Sequence, residues 1–167
     1  TDAATVGNGI AVYENLHAVG PIQPYGGSGE DFQLLSGVND TPTTGPGLTV
    51  KSARPNDHVG VRLTSPGGAF VGVPFFLAGE LFPTGSPPPS PPGLPMIHLG
   101  GSGVFLLAGG SFGPFPFVVP AGGFHLPLVV PAGFAGQSVM LQAVAISPIA
   151  SNSLFAATDG HEIRFVP

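Results

Sequence analysis

The chain contains no cysteine and no tryptophan, and charged residues make up only 8% of its 167 positions. The absence of cysteine excludes disulfide bonds, thiol catalysis and thiolate metal sites, and it leaves the redox compartment open. Basic residues are scarce as well: Lys51 is the single lysine, and Arg54, Arg62 and Arg164 are the arginines. With a net charge of −5 the chain offers no basic patch for phosphates, so we expect no nucleic-acid partner.

The sequence also lacks an apolar run long enough to cross a bilayer, so we expect no membrane span. It begins Thr1-Asp2-Ala3-Ala4, without methionine, as a processed or excised protein would. We therefore predict export, with an extracellular or cell-surface location. A surface this poor in Lys and Glu depends little on charge for solubility, which suits a protein that packs against copies of itself.

Glycine and proline are abundant, with 27 and 21 residues. They cost about 1 and 3 kcal/mol per position inside a helix, and no long segment is free of them. Thirteen phenylalanines supply apolar surface that disordered chains lack. Short apolar segments between turns predict an all-β chain of about ten to twelve short strands, folded as a two-sheet β-sandwich of jelly-roll or Ig-like type. We expect one domain over residues 21–167 and an extended N-terminal arm over residues 1–20.

Alternating apolar and polar residues predict two adjacent strands, at residues 48–51 and His58–Thr64, joined by a hairpin turn at 54–57. The apolar run at 69–77 predicts a bent strand, because Pro74 confines it to an edge or a bulge. Residues 86–95 are typical of a stiff polyproline connection on the surface. Further strands are predicted at residues 96–99, 104–107, 115–119, 124–130, 138–146 and 161–166.

Residues 133–143, with their G-x-x-V-x-x-Q-A pattern, and the closing residues 162–165 resemble the end of exported β-sandwich domains common in planctomycete-type secreted proteins of unknown function. Residues 31–35 and 50–68 are similar to the middle of such domains. The resemblance implies a β-sandwich and export but no activity, since it includes no catalytic signature. We expect Gln137 and Gln142 to serve sheet edges and turns.

Two motifs with catalytic associations are present only in part. Gly109–Gly113 matches G-x-S-x-G, but that nucleophile elbow needs a following helix, and Pro114 follows here, so Ser111 is predicted to be a turn residue. The five histidines are scattered without zinc-binding spacing. We therefore predict that the protein is not an enzyme and requires no cofactor.

Acidic residues in predicted loops suggest a calcium site, because Ca²⁺ takes six to eight oxygen ligands and often collects them from loops. The candidates are Glu30, Asp31, Asp40 and Asp57. The alternative is that Asp and neighbouring Asn side chains bond the backbone of their own turns.

These observations favour a non-enzymatic secreted structural protein that self-assembles as a filament, tube or surface layer. An N-terminal arm around Ile10, Ala11 and Val12 would add a strand to a neighbouring copy. The alternative is a monomeric extracellular ligand- or glycan-binding module. That module would carry one concave aromatic patch near Tyr13 or Tyr25, whereas an assembling subunit would show two complementary apolar patches.

Overall fold

The computed structural model describes residues 24–100, 103–110 and 117–167. These residues form nine strands and no helix, which confirms the predicted all-β class. The strands are β1 (Gln33–Val38), β2 (Val50–Ala53), β3 (His58–Thr64), β4 (Phe75–Pro83), β5 (Val104–Gly109), β6 (Phe124–Val129), β7 (Gln137–Ile146), β8 (Phe155–Ala157) and β9 (His161–Phe165). The described residues contain no helix that could cross a bilayer.

The strands form two sheets, as a β-sandwich requires. The smaller sheet has the order β1-β3-β6, and the larger has the order β2-β9-β7-β4-β5, with β8 paired to β7. Neighbours are antiparallel except β2 and β9, which run parallel.

The core lies between the two sheets and follows the strand alternation. In β3 the side chains of Val59, Val61 and Leu63 point inward and are buried, while His58 and Arg62 are exposed. The larger sheet contributes buried residues to the same cluster, among them Phe75, Leu77, Leu141 and Ile163. The period-2 pattern of the sequence therefore reports the inward face correctly where only one face of a strand is buried.

The predicted hairpin between residues 48–51 and His58–Thr64 is wrong. The turn exists, since the Asp57 amide donates to the Arg54 carbonyl at 3.0 Å and Asn56 has a φ of 70°. However, β2 pairs with β9 in the larger sheet, whereas β3 pairs with β1 and β6 in the smaller one. The turn carries the chain from one sheet to the other, because β2 aligns along the last strand of the chain.

Two other predicted strands are corrected. The run at 69–77 becomes a strand only at Phe75, because residues 65–72 form turns that bury Phe70 without a ladder. Residues 96–99 are not a strand either, since the amide of His98 bonds the side chain of Gln142. Strands β1 and β8 were not predicted from pattern. Of residues 115–119, the described Val118 makes an isolated bridge to Pro74.

The other predicted strands are confirmed with small shifts at their ends. The residues 104–107, 124–130, 138–146 and 161–166 correspond to β5, β6, β7 and β9. Residues 84–100, which include the polyproline stretch, run over the outer face of the larger sheet instead of joining it.

Candidate functional site

An apolar groove opens between the two sheets where β5 and β6 end the described parts of each sheet. Its volume is about 190 Å³. An apolar cavity of about 150 Å³ can hold a benzene ring, so the groove has room for one or two branched side chains. Its walls are apolar side chains from both sheets and from the segment after β6, including Leu81, Phe105, Leu107, Leu128, Val129 and Phe134.

The larger sheet forms one wall because Leu81 and Phe105 both face the space between the sheets. Phe105 is paired with Gly79 on β4, and its ring lies over that glycine. Leu107, two residues further along β5, shares the face of Phe105 and contacts the core as well. A register shift between Leu77 and Ala78 pairs Leu77 with Ala108 and leaves Leu107 as the extra residue. Phe105 and Leu81 remain 37% and 39% exposed, because the described residues provide no strand opposite them.

Strand β5 has the features of an uncovered sheet edge. Within the described residues it pairs with β4 alone. Its sequence, VFLLAG, contains no proline and no charge, and Val104 and Leu106 are each 45% exposed. Natural proteins usually protect edge strands with charges, proline or bulges, since free backbone groups there can pair with another chain. Of these protections β5 has only the register shift opposite Leu77 and Ala78.

The neighbouring edge of the smaller sheet is different. Strand β6 contains Pro127, which is paired with Gly60 on β3. Proline has no backbone N–H, so it removes one donor from any further ladder and is typical of an edge that stays unpaired. Of the two edges beside the groove, β5 is therefore the better template for an added strand.

A second apolar surface lies at the end of β7 that is far from the groove. It consists of Ile146, Ile149 and Leu154, and we name it the tip. These side chains are 51%, 59% and 67% exposed. The turn is held together by the Ser147 amide, which donates to the Leu154 carbonyl at 3.0 Å. Val139 of β7 lines the groove, so the seven residue steps from Val139 to Ile146 separate groove and tip by about 24 Å.

A polar cluster of Ser36, Lys51 and His161 lies between the sheets on the side away from β5 and β6. Ser36 Oγ lies 2.6 Å from His161 Nδ1 and accepts a hydrogen bond from Lys51 Nζ at 3.0 Å. Burial and the nearby Lys51 charge lower the pKa of His161 to about 4, against the opposing effects of Asp159 and the Leu34 carbonyl. Burial also lowers the pKa of Lys51.

This arrangement has the residue types of an activated serine nucleophile. However, Ser36 and His161 are both 0% exposed, so a substrate could not reach the hydroxyl without separating the sheets. The network stabilises the packing of β1 against β2 and β9. The sequence analysis missed it, because its members are separated by up to 125 residues and no local motif connects them.

A second polar cluster is centred on Glu162, on the outer face of β9. Its carboxylate accepts hydrogen bonds from Tyr25 Oη at 2.7 Å, Ser138 Oγ at 3.1 Å and Arg164 Nε at 2.8 Å. Burial would raise the pKa of Glu162, but the bonds from Arg164, Tyr25 and Ser138 outweigh it and lower the pKa. Burial and the bond to Glu162 raise the pKa of Tyr25 to about 12.

The prediction that Gln142 serves an edge or a turn is wrong, because it is fully buried in the central strand β7. Its amide nitrogen donates to the carbonyls of Met96 and Thr158, and its oxygen accepts from the His98 amide. Gln142 therefore anchors the segment 84–100 to the sheet. Gln137 is the first residue of β7, where the preceding turn ends, and a turn role was predicted for it.

The four predicted calcium ligands fall in two regions: Glu30 and Asp31 are consecutive, and Asp57 bonds Asn39, the neighbour of Asp40. Glu30, Asp31 and Asp57 each accept hydrogen bonds from the protein. Asp31 accepts from Ser65 Oγ, Gly67 N and Ala69 N, and Asp57 accepts from Asn39 Nδ2 and Arg54 N. Glu30 accepts from the amide and hydroxyl of Ser151. The described residues hold no group of three or more His, Cys, Asp or Glu that could bind a metal ion.

These bonds explain the titration of the two aspartates. The Ser65 hydroxyl and the Gly67 amide lower the pKa of Asp31, and the Arg54 amide and Asn39 lower that of Asp57. Asp57 thus bonds the backbone of its own turn, as the alternative interpretation has it, whereas Asp31 bonds a distant turn at residues 65–69. Calcium binding stays a prediction.

Asp40 lines a shallow pocket of about 310 Å³ with His58 and His125, on the outer face of the smaller sheet. The predicted arm at Ile10, Ala11 and Val12, Tyr13 and Ser111 all lie outside the described residues.

Comparison of the chain with protein-family models, with curated proteins and with solved structures gave no match. The interpretation of the groove therefore depends on its own geometry and chemistry.

Proposed function

We propose that the protein is a non-enzymatic structural domain that self-assembles outside the cell or on its surface. The observation that carries the proposal is the apolar groove beside the uncovered, uncharged edge of β5. Exposed apolar surface of this kind marks an interaction site in a soluble protein. An exposed, flat, apolar edge strand offers backbone donors and acceptors to another chain as well.

The positions of groove and tip support assembly beyond a dimer. They lie at opposite ends of β7, so contacts at each surface would be made with different copies. A contact between unlike surfaces generates a ring if the rotation closes and an open filament if it does not. The low charge of the chain, 8% of its residues, keeps electrostatic repulsion between copies small.

We also propose that the sandwich is Ig-like and not a jelly roll. In chain order, β1, β3 and β6 match strands A, B and E of the immunoglobulin fold, and β4, β5, β7 and β9 match C, C′, F and G. Strand D pairs with E in that fold. Among the described residues no strand pairs with the outer side of β6, where strand D would lie.

A charge on the β5 edge tests the proposal. Leu106→Lys places an ammonium group on an exposed residue, so the fold should tolerate it while edge pairing is blocked. Leu48→Lys is the matched control, because Leu48 is the same residue type with the same 45% exposure but lies in the loop before β2. Light scattering should show large particles for the unmodified chain and Leu48→Lys, and a monomer for Leu106→Lys. Equal assembly of both variants would refute the role of β5.

A monomeric module for an apolar ligand is the second candidate, since the same groove could hold a small apolar molecule. A glycan fits less well: Tyr25, expected to belong to an aromatic patch, bonds Glu162 and packs edge-on against His98. Titration with the dye anilinonaphthalene sulfonate checks this function. Saturable binding of one dye per monomer, without change of mass, would favour the ligand-binding module over assembly.

A further inference from the structure

We infer that the segment around Ile10–Val12 of a second copy is added as a strand along the edge of β5 that no described strand pairs with, and that its inward side chains enter the groove from the β5 side. This inference rests on the proposed self-assembly and names the part of the partner that makes the contact. The occupant has to match two features together: the apolar walls of the groove, and the backbone edge of β5 with which no described strand pairs.

An extended segment meets both requirements, whereas a turn such as the tip meets only the first. In an added strand the backbone pairs with β5, and every second side chain points between the sheets. The side chains that point inward would pack at the β5 side of the groove, against Phe105 and Leu107 of the larger sheet and Leu128 of the smaller one. The β5 edge accepts this partner better than β6, whose Pro127 interrupts a ladder.

The first 23 residues are the longest stretch of sequence outside the described parts of the chain, and they contain a segment whose sequence is typical of a strand. Residues 6–13, VGNGIAVY, include no proline and no charge. Ile10 and Val12 are β-branched and two residues apart, so they share one face, while Ala11 and Tyr13 share the other. The size of the groove suits two such branched side chains.

The place where the described chain begins favours a second copy over the chain's own segment. Tyr25 lies on the outer face of the larger sheet, where it contacts Glu162 of β9 and His98. His98 and Gly100 cross that same face, bonded to Gln142 of β7 and Glu80 of β4. They lie between Tyr25 and β5, so the chain's own segment would have to pass over or around them to reach the groove.

Cysteine cross-linking tests the inference cleanly, because the chain has no cysteine of its own. A disulfide needs Cβ atoms about 3.5–4.5 Å apart, so it reports direct neighbours across two strands. In the proposed strand Ala11 faces outward on the same side as Val104 and Leu106. We would mix full-length Ala11→Cys with full-length Leu106→Cys or Val104→Cys, each with a tag of different mass, and oxidise mildly.

The expected result is a mixed dimer of the two variants at one of the two β5 positions. It should be lost when Ile10→Asp and Val12→Asp are added to the Ala11→Cys chain. If the double variant Ala11→Cys/Leu106→Cys or Ala11→Cys/Val104→Cys forms only a cross-linked monomer, the segment fills its own groove and the inference is overturned. If no cross-link forms while the unmodified chain assembles, the inference fails but self-assembly stands. A monomeric unmodified chain overturns self-assembly itself.

Discussion

The ring of Phe105 lies directly over Gly79 on the neighbouring strand. A Cβ atom added at residue 79 would be 2.7 Å from Phe105 Cζ and 3.0 Å from its Cε2. Because Phe105 is a wall of the groove, the absence of a side chain at Gly79 helps to set the shape of the groove. The contact links a residue choice inside β4 to the surface that we propose for assembly.

Gly79→Ala should therefore turn the Phe105 ring toward the groove and weaken assembly. Inserting a methyl group into a packed region costs about 1–3 kcal/mol, and we expect the lower end because the ring is partly exposed. Urea denaturation gives the free energy of unfolding, and light scattering against concentration gives the assembly midpoint. Gly103→Ala is the control, since its nearest neighbour is the Leu81 carbonyl at 3.7 Å. An unchanged midpoint in Gly79→Ala would show that Phe105 does not shape the contact.

Side chains on the two faces of the proposed arm should respond differently to charge. Ile10→Asp with Val12→Asp would place two carboxylates in an apolar groove, and burying an unpaired charge there is strongly unfavourable. Ala11→Asp adds the same kind of charge on the face that stays in solvent. We expect the first variant to lose assembly and the second to keep it. Equal loss in both would contradict the assignment of faces.

The stability of the fold should decrease as the pH falls from about 6.5 to 4, because of His161. Burial and the Lys51 charge lower its folded pKa to about 4 from 6.5, and Asp159 opposes them only partly. The unfolded chain therefore binds the proton first, and stability that is complete above pH 6.5 is lost by pH 4. The full shift corresponds to about 3 kcal/mol.

Urea denaturation across this pH range measures the effect, and His161→Gln should flatten the profile. The exposed His125→Gln serves as the matched control and should keep the slope. A slope that survives in His161→Gln would assign the titration to another group.

Removal of the Tyr25 hydroxyl should destabilise the fold at neutral pH. Tyr25→Phe deprives the buried carboxylate of Glu162 of a donor at 2.7 Å, and hydrogen bonds to charged groups contribute about 1.5–3 kcal/mol. The bonds to Glu162 keep its pKa below 4.5, so their contribution is present above that pH and decreases as Glu162 is protonated. The difference between Tyr25→Phe and the unmodified chain should therefore be smaller at pH 3 than at pH 7. If Tyr25→Phe lowers the free energy of unfolding equally at pH 3 and pH 7, the negative charge of Glu162 has no role in the effect.

The sequence predicted the elements whose pattern is local. The alternation over His58–Thr64 gives β3 with its buried face, and the glycine and proline content excludes helix. The pairing of β2 with β9 could not be predicted, because a turn at residues 54–57 fits a hairpin and a crossing between sheets equally well. The groove was missed for a similar reason. Phe105 and Leu81 look like core residues in the sequence, and only the strand order shows that nothing described lies opposite them.

The polar residues illustrate the same limit. The alternative interpretation, that these acids bond the backbone of their own turns, agrees with the structure for Asp57, but Asp31 bonds the amides of a turn more than thirty residues away. The network of Ser36, Lys51 and His161 forms only when three strands from distant parts of the sequence meet.

The measurement that tests the central claim most directly is the mass of the unmodified chain by light scattering over a series of dilutions at neutral pH. Self-assembly predicts a mass many times 16.7 kDa that falls toward this value on dilution. A mass of 16.7 kDa at every concentration would contradict the account and leave the groove as a site for a small apolar ligand.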